Sequence, residues 1–131
     1  MQGVIDDSGK IYVFGRTNQN LGKIALEMFT TFGNMIILDT IGLEWSSSHL
    51  PNTPFKRFSY SATILPNGLI VYIGGWEFTD NNDHVGREVD INQINLYDTN
   101  SATWRVKVIN YIYYIIILSL KLLKFNLILF D

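Results

Sequence analysis

The chain contains no cysteine. A disulfide scaffold, a cysteine-ligated zinc and a thiol nucleophile are therefore excluded, and the composition fits a reducing compartment, with the cytoplasm expected. Histidine is scarce. His49 and His84 lie far apart with no companion ligands at metal spacing, and each reads as a solvated loop residue. There is no basic surplus: 10 Lys and Arg face 12 Asp and Glu, giving a net charge of −2. Nucleic-acid domains usually show the opposite balance, so no nucleic acid is expected as a partner. No Asn-x-Ser/Thr sequon occurs. The opening residues, "MQGVIDDSGK", have neither a basic n-region nor an apolar h-region, so they do not read as a secretory signal.

Catalytic patterns are missing too. Ser46 to Ser48 have no His and Asp in a recognisable triad arrangement. The segment "TDNNDH" (79–84) bunches carboxylates and amides but lacks the Gly and distal Glu of an EF-hand loop; it reads as a polar loop tip. No cofactor, metal or catalytic residue is expected.

What is present is a core-forming composition, 47% hydrophobic and 14% aromatic, and an internal repeat. "SGKIYVFGR" begins at Ser8 and "NGLIVYIGG" at Asn67, an offset of 59 residues. Asp39-Thr40 and Asp98-Thr99 share that offset, as do Trp45 and Trp104. The segments have strand character. "YSATIL" (60–65) mixes aromatic and β-branched residues, and "LIVYIG" (69–74) is a continuous apolar run. "PNG" (66–68) joins them, and Asn and Gly tolerate the positive φ of a tight hairpin. "INQINLYDT" (91–99) and "TWRVKV" (103–108) complete four antiparallel strands. The first copy supplies 3–6, 10–15, 35–40 and 43–47.

Three features together resemble the kelch repeat: Gly74-Gly75 closing the second strand, the stretch from Asp98 to Trp104, and "PFKRFSYSA" leading into the first strand, with Arg57 in it. The resemblance covers residues 3–108. It implies an all-β fold: two four-stranded antiparallel blades, about 3–50 and 58–108, of an incomplete β-propeller occupying 1–107. It also implies structural roles for Gly15, Gly74 and Gly75 at strand ends, and for Trp45 and Trp104 packed between neighbouring blades. The copies differ: Gly15-Arg16 replaces the Gly pair, and Tyr60 stands where many kelch repeats carry His. Galactose-oxidase-like propellers share the architecture, but their copper site needs a Tyr–Cys crosslink that a cysteine-free chain cannot make.

Two blades cannot close a ring, since propellers take about four to eight. Further blades, in the same or another chain, are therefore expected, and the chain reads as a fragment or truncated product of a longer propeller. Residues 108–131 form a hydrophobic, low-complexity tail expected to be helical or disordered. Its Ile, Leu, Tyr, Phe, Asn and Lys vocabulary suits translated non-coding sequence. The rival is a membrane anchor, which would hold Lys121 and Lys124 within its span.

The function expected is a non-enzymatic interaction module for an unidentified protein partner. The connections 16–34, 48–58 and 75–90 read as loops at one end of the blades, where binding residues usually sit. "KIALEMF" within the first could form a helical turn through Ile24 and Met28. Trp76, Phe78, Asp80 and Arg87 are the candidate partner contacts, with Trp76 expected to be partly exposed on its loop and Trp104 buried. An internal salt bridge is expected for Arg57.

Overall fold

The computed structural model describes residues 2–15, 17–19, 29–31, 33–48, 50–79 and 85–109. These residues form thirteen strands and no helix: β1 (Gly3–Ile5), β2 (Lys10–Phe14), β3 (Thr17–Gln19), β4 (Phe29–Thr31), β5 (Met35–Asp39), β6 (Glu44–Ser48), β7 (Arg57–Phe58), β8 (Ser61–Ile64), β9 (Leu69–Ile73), β10 (Trp76–Phe78), β11 (Gly86–Glu88), β12 (Gln93–Asp98) and β13 (Thr103–Val108). Alternating or continuous runs of Ile, Val, Tyr and Leu, punctuated by Asp, Asn and Gly, produce this pattern.

The protein is all-β, with two four-stranded antiparallel sheets, β1-β2-β5-β6 and β8-β9-β12-β13. Each is a meander with a short hairpin inserted between its second and third strands: β3–β4 in the first, β10–β11 in the second. The hairpins correct the expectation that 16–34 and 75–90 are loops. The second hairpin also pairs with β7, making a three-stranded sheet β11-β10-β7. The helical turn expected around Ile24 and Met28 lies outside the described residues, as do Asp80, both histidines and the tail from residue 110 onward.

The 59-residue repeat extends to individual hydrogen bonds. The Asp39 carboxylate accepts the N–H groups of Ile41 and Gly42, both at 2.9 Å. Asp98 does the same for Asn100 and Ser101, at 2.9 and 3.4 Å. Thr40 donates its N–H and its hydroxyl to the Gly9 carbonyl, and Thr99 donates both to that of Gly68. Leu43 and Ala102, one repeat apart, share a left-handed φ of 55° and 52°. A carboxylate that ties down the turn and a threonine that pins the preceding hairpin explain why Asp-Thr recurs.

The two sheets pack face to face. Val4, Tyr12, Phe14, Met35 and Ile37 of the first meet Ala62, Ile70, Tyr72, Tyr97 and Trp104 of the second. Trp104 is 5% exposed, with its ring centroid 4.7 Å from Phe14, 5.0 Å from Tyr97 and 5.3 Å from Tyr72. Such aromatic pairs add about 0.5–1.5 kcal/mol each beyond buried area. Trp104 ends a cross-strand row, Ile64–Ile70–Tyr97–Trp104. One repeat earlier the row is Ile5–Ile11–Leu38–Trp45. It lies on the first sheet's other face, against which no described sheet packs. Trp45 is 67% exposed, so the expectation that it is packed between sheets is corrected. Its register is that of Trp104; the neighbour is what differs.

Gly15 shows the same asymmetry. Its φ is +60°, and a Cβ there would collide with the Arg57 carbonyl where the chain leads into the second sheet. Gly74, one repeat later, keeps a φ of +66°, but a Cβ there would meet no described atom within 4 Å. Gly75, at φ +99°, lies against the Phe58 carbonyl. Two links join the sheets at this end. Tyr60 donates its hydroxyl to the Phe14 carbonyl, and the Gln2 side-chain amide pairs with both backbone groups of Ala62 at 2.9 and 3.0 Å.

Candidate interaction site

The three-stranded sheet carries most of the residues singled out for binding. On β10, alternation sends Glu77 inward and leaves Trp76 and Phe78 on the opposite side. Glu77 is buried opposite Arg57 on β7 and Arg87 on β11. Its carboxylate accepts from Arg57 Nη2 at 3.3 Å and from Arg87 Nε at 2.8 Å. Arg57, 2% exposed, also donates to Asn95 Oδ1 at 3.1 Å, which fastens this sheet to β12. Burial lowers the Arg57 pKa from its ordinary value, and the Glu77 carboxylate acts in the opposite sense. The internal salt bridge expected of Arg57 is present. Arg87 differs from expectation: it is already paired within the chain, although its side chain stays largely exposed.

Trp76 is a strand residue rather than a loop residue, at 38% exposure. Its indole lies so close over Gly86 that no side chain would fit beneath it. Phe78 packs on Phe58 with ring centroids 5.8 Å apart. Trp76 and Phe58 help line a shallow concavity with Gly75, Val89 and Ile91. A second concavity runs past Phe78 to Leu50, Pro54 and Phe55. Phe55 and Ile91 are exposed, so the aromatic strand sits between two open hollows with apolar walls. The arrangement can bind an extended or aromatic-bearing segment.

Among the described residues no cluster of three or more His, Asp or Glu side chains could hold a metal. Burial raises the pKa of Tyr60 and raises that of Tyr72 well above the ordinary phenol value. No helix among the described residues is long and apolar enough to cross a membrane.

Trp76, Phe78 and Arg87, expected on one loop, lie together on one sheet, and the sequence expectation missed Glu77, Phe58 and Ile91. Glu77 had a legible signal, a carboxylate between two aromatics in period-two alternation. Gly15, Gly74 and Gly75 follow their strands with positive φ, and Asp39 and Asp98 are the last residues of β5 and β12. No protein-family model matches the chain, and no curated protein matches it significantly.

Proposed function

We propose that the chain is a non-enzymatic interaction module of the kelch-repeat type: two consecutive blades of a β-propeller, with Trp76 and Phe78 forming the contact surface for a protein partner. The observation that carries the reading is directional stacking. The Trp104 row of the second sheet lies against the first sheet, while the equivalent Trp45 row of the first sheet faces away from the second, so the two units follow one another in a single sense. Gly15 abuts the lead-in to the next sheet, and Gly74 repeats its conformation with no described atom within 4 Å of where a Cβ would stand. Both features suit a propeller, in which every blade has a neighbour on each face. On this reading further blades, in the same or another chain, cover Trp45. A cytoplasmic setting accords with the absence of cysteine.

Contact by Trp76 and Phe78 is supported by their partial exposure on a sheet braced by Arg57 and Glu77, because rigid aromatics lose little entropy on binding. The test is selection of a random peptide library on the full chain. Enriched peptides should lose at least tenfold in affinity for Trp76→Ala (about 1.4 kcal/mol or more). Peptides that bind both forms alike would refute the assignment. Tight, stoichiometric Cu²⁺ binding in a titration would overturn the non-enzymatic reading in favour of an oxidase-like propeller.

A further inference from the structure

The second inserted hairpin carries a third strand, and the first does not. β10 is flanked by β11 on one side and β7 on the other, whereas β3 pairs with β4 alone among the described strands. The two hairpins are nonetheless equivalent. β10 (Trp76–Phe78) begins and ends 59 residues after β3 (Thr17–Gln19), the offset of the whole repeat. Their registers match as well. Thr17, Asn18 and Gln19 face Thr31, Thr30 and Phe29, as Trp76, Glu77 and Phe78 face Glu88, Arg87 and Gly86.

β7 shows what this edge takes. Phe58 and Arg57 run antiparallel to Trp76 and Glu77, and the Phe78 N–H donates to the Lys56 carbonyl at 2.9 Å. Backbone groups of successive strand residues point to opposite neighbours, so those of Trp76 and Phe78 serve β7 and those of Glu77 serve β11. The Thr79 N–H keeps that alternation, donating to the Val85 carbonyl at 3.1 Å. Carried back one repeat, the alternation gives Asn18 to β4 and turns the Thr17 and Gln19 groups to the edge away from β4. Thr, Asn and Gln put neither a proline nor a charge on that edge, two of the devices that keep strand edges unpaired.

We propose that β3 is a strand-addition site: it binds an extended segment of a partner polypeptide, antiparallel to β3, in the place that β7 takes on β10. The inference rests on the repeat register and is independent of the Trp76–Phe78 surface. The chemistry recognised is an extended, proline-free backbone matching the 3 residues of β3. Opposite Asn18 the partner carries a neutral residue. In the second unit that position is Arg57, whose charge is held by Glu77. Asn18 stands where Glu77 does in the repeat and supplies no carboxylate.

The test is amide hydrogen exchange, read by NMR on the full chain, alone and with the synthetic peptide PFKQFSY, which is segment 54–60 with Arg57→Gln. In the chain alone, the Gln19 amide should exchange at least tenfold faster than those of Asn18 and Phe78, which have strand partners. Millimolar peptide should slow Gln19 at least fivefold and leave Asn18 and Phe78 unchanged. The same peptide, N-methylated at the residues in the places of Lys56 and Phe58, should have no effect. A Gln19 amide as slow as that of Phe78 in the chain alone would show the edge filled from within the chain. An Asn18 amide as fast as that of Gln19 would show that the hairpin does not hold. Slowing or release at Phe78 in place of Gln19 would show that the peptide exchanges with β7. Any of these results, or a Gln19 amide indifferent to the peptide, overturns the proposal.

Discussion

Trp45 and Trp104 occupy the same position in successive repeats, so truncating each to alanine separates what the sequence position determines from what packing determines. Trp104→Ala removes an indole that touches Phe14, Tyr72 and Tyr97 at the junction of the two sheets. The indole N–H has no hydrogen-bond partner among the described residues, so the loss is one of packing and transfer alone. A buried Trp→Ala change costs about 3–5 kcal/mol through lost transfer energy and the cavity left behind. Domains of this size hold about 5–15 kcal/mol in total, so a large part of the stability goes. With a urea m-value of about 2 kcal/mol/M, the midpoint should fall by about 1.5–2.5 M. Trp45→Ala removes an exposed ring and should change stability by no more than about 0.5 kcal/mol. Urea denaturation of both variants, followed by far-ultraviolet circular dichroism, reads the difference. Equal losses, or a greater loss at Trp45, would refute the face-to-face packing.

Arg57→Met leaves Glu77 buried with Arg87 as its remaining partner, and should destabilise by about 3 kcal/mol, the low end for breaking a buried pair; the double variant Arg57→Met/Glu77→Leu should recover part of that loss in the same denaturation assay. Acid should act on the β1–β2 turn. Burial raises the Asp6 pKa, but hydrogen bonds from the Lys10 amide, from Ser8 and from the Tyr12 hydroxyl outweigh it, and the net value lies below the ordinary 3.8. The folded pKa is depressed, so the turn's contribution is fully present above about pH 4 and is lost as pH falls through the folded value. A carboxyl-carbon NMR titration should find Asp6 titrating below its ordinary range, and a midpoint at or above that range would contradict the hydrogen-bond geometry.

Strand positions in both sheets were legible because each strand is an apolar run bounded by a turn with its own chemistry. Asp39 and Asp98 announce their turns, and the recurring Thr announces the hairpin that it pins. The inserted hairpins were not legible. "WEF" and "GRE" are only three residues each, flanked by Gly-Gly and a polar run, too short for a periodicity to stand out. Trp45 misled for a different reason. Sequence position fixes which face a side chain occupies, whereas burial depends on what lies opposite, and nothing within the first unit encodes that neighbour. At the candidate site, the aromatics were found from their type. The Arg57–Glu77–Arg87 chain needed the pairing of β10 with β7 and β11 to become visible.

If the sheets are successive propeller blades, supplying the missing neighbours should close a ring. Three copies of residues 2–107, joined by copies of residues 49–60, keep the 59-residue period through six sheets. Small-angle scattering of that chain should give a compact particle with a radius of gyration of about 20 Å. The fluorescence of the Trp45 positions should shift to the blue as each is covered by the preceding sheet. An elongated particle with those tryptophans still in water would contradict the propeller reading.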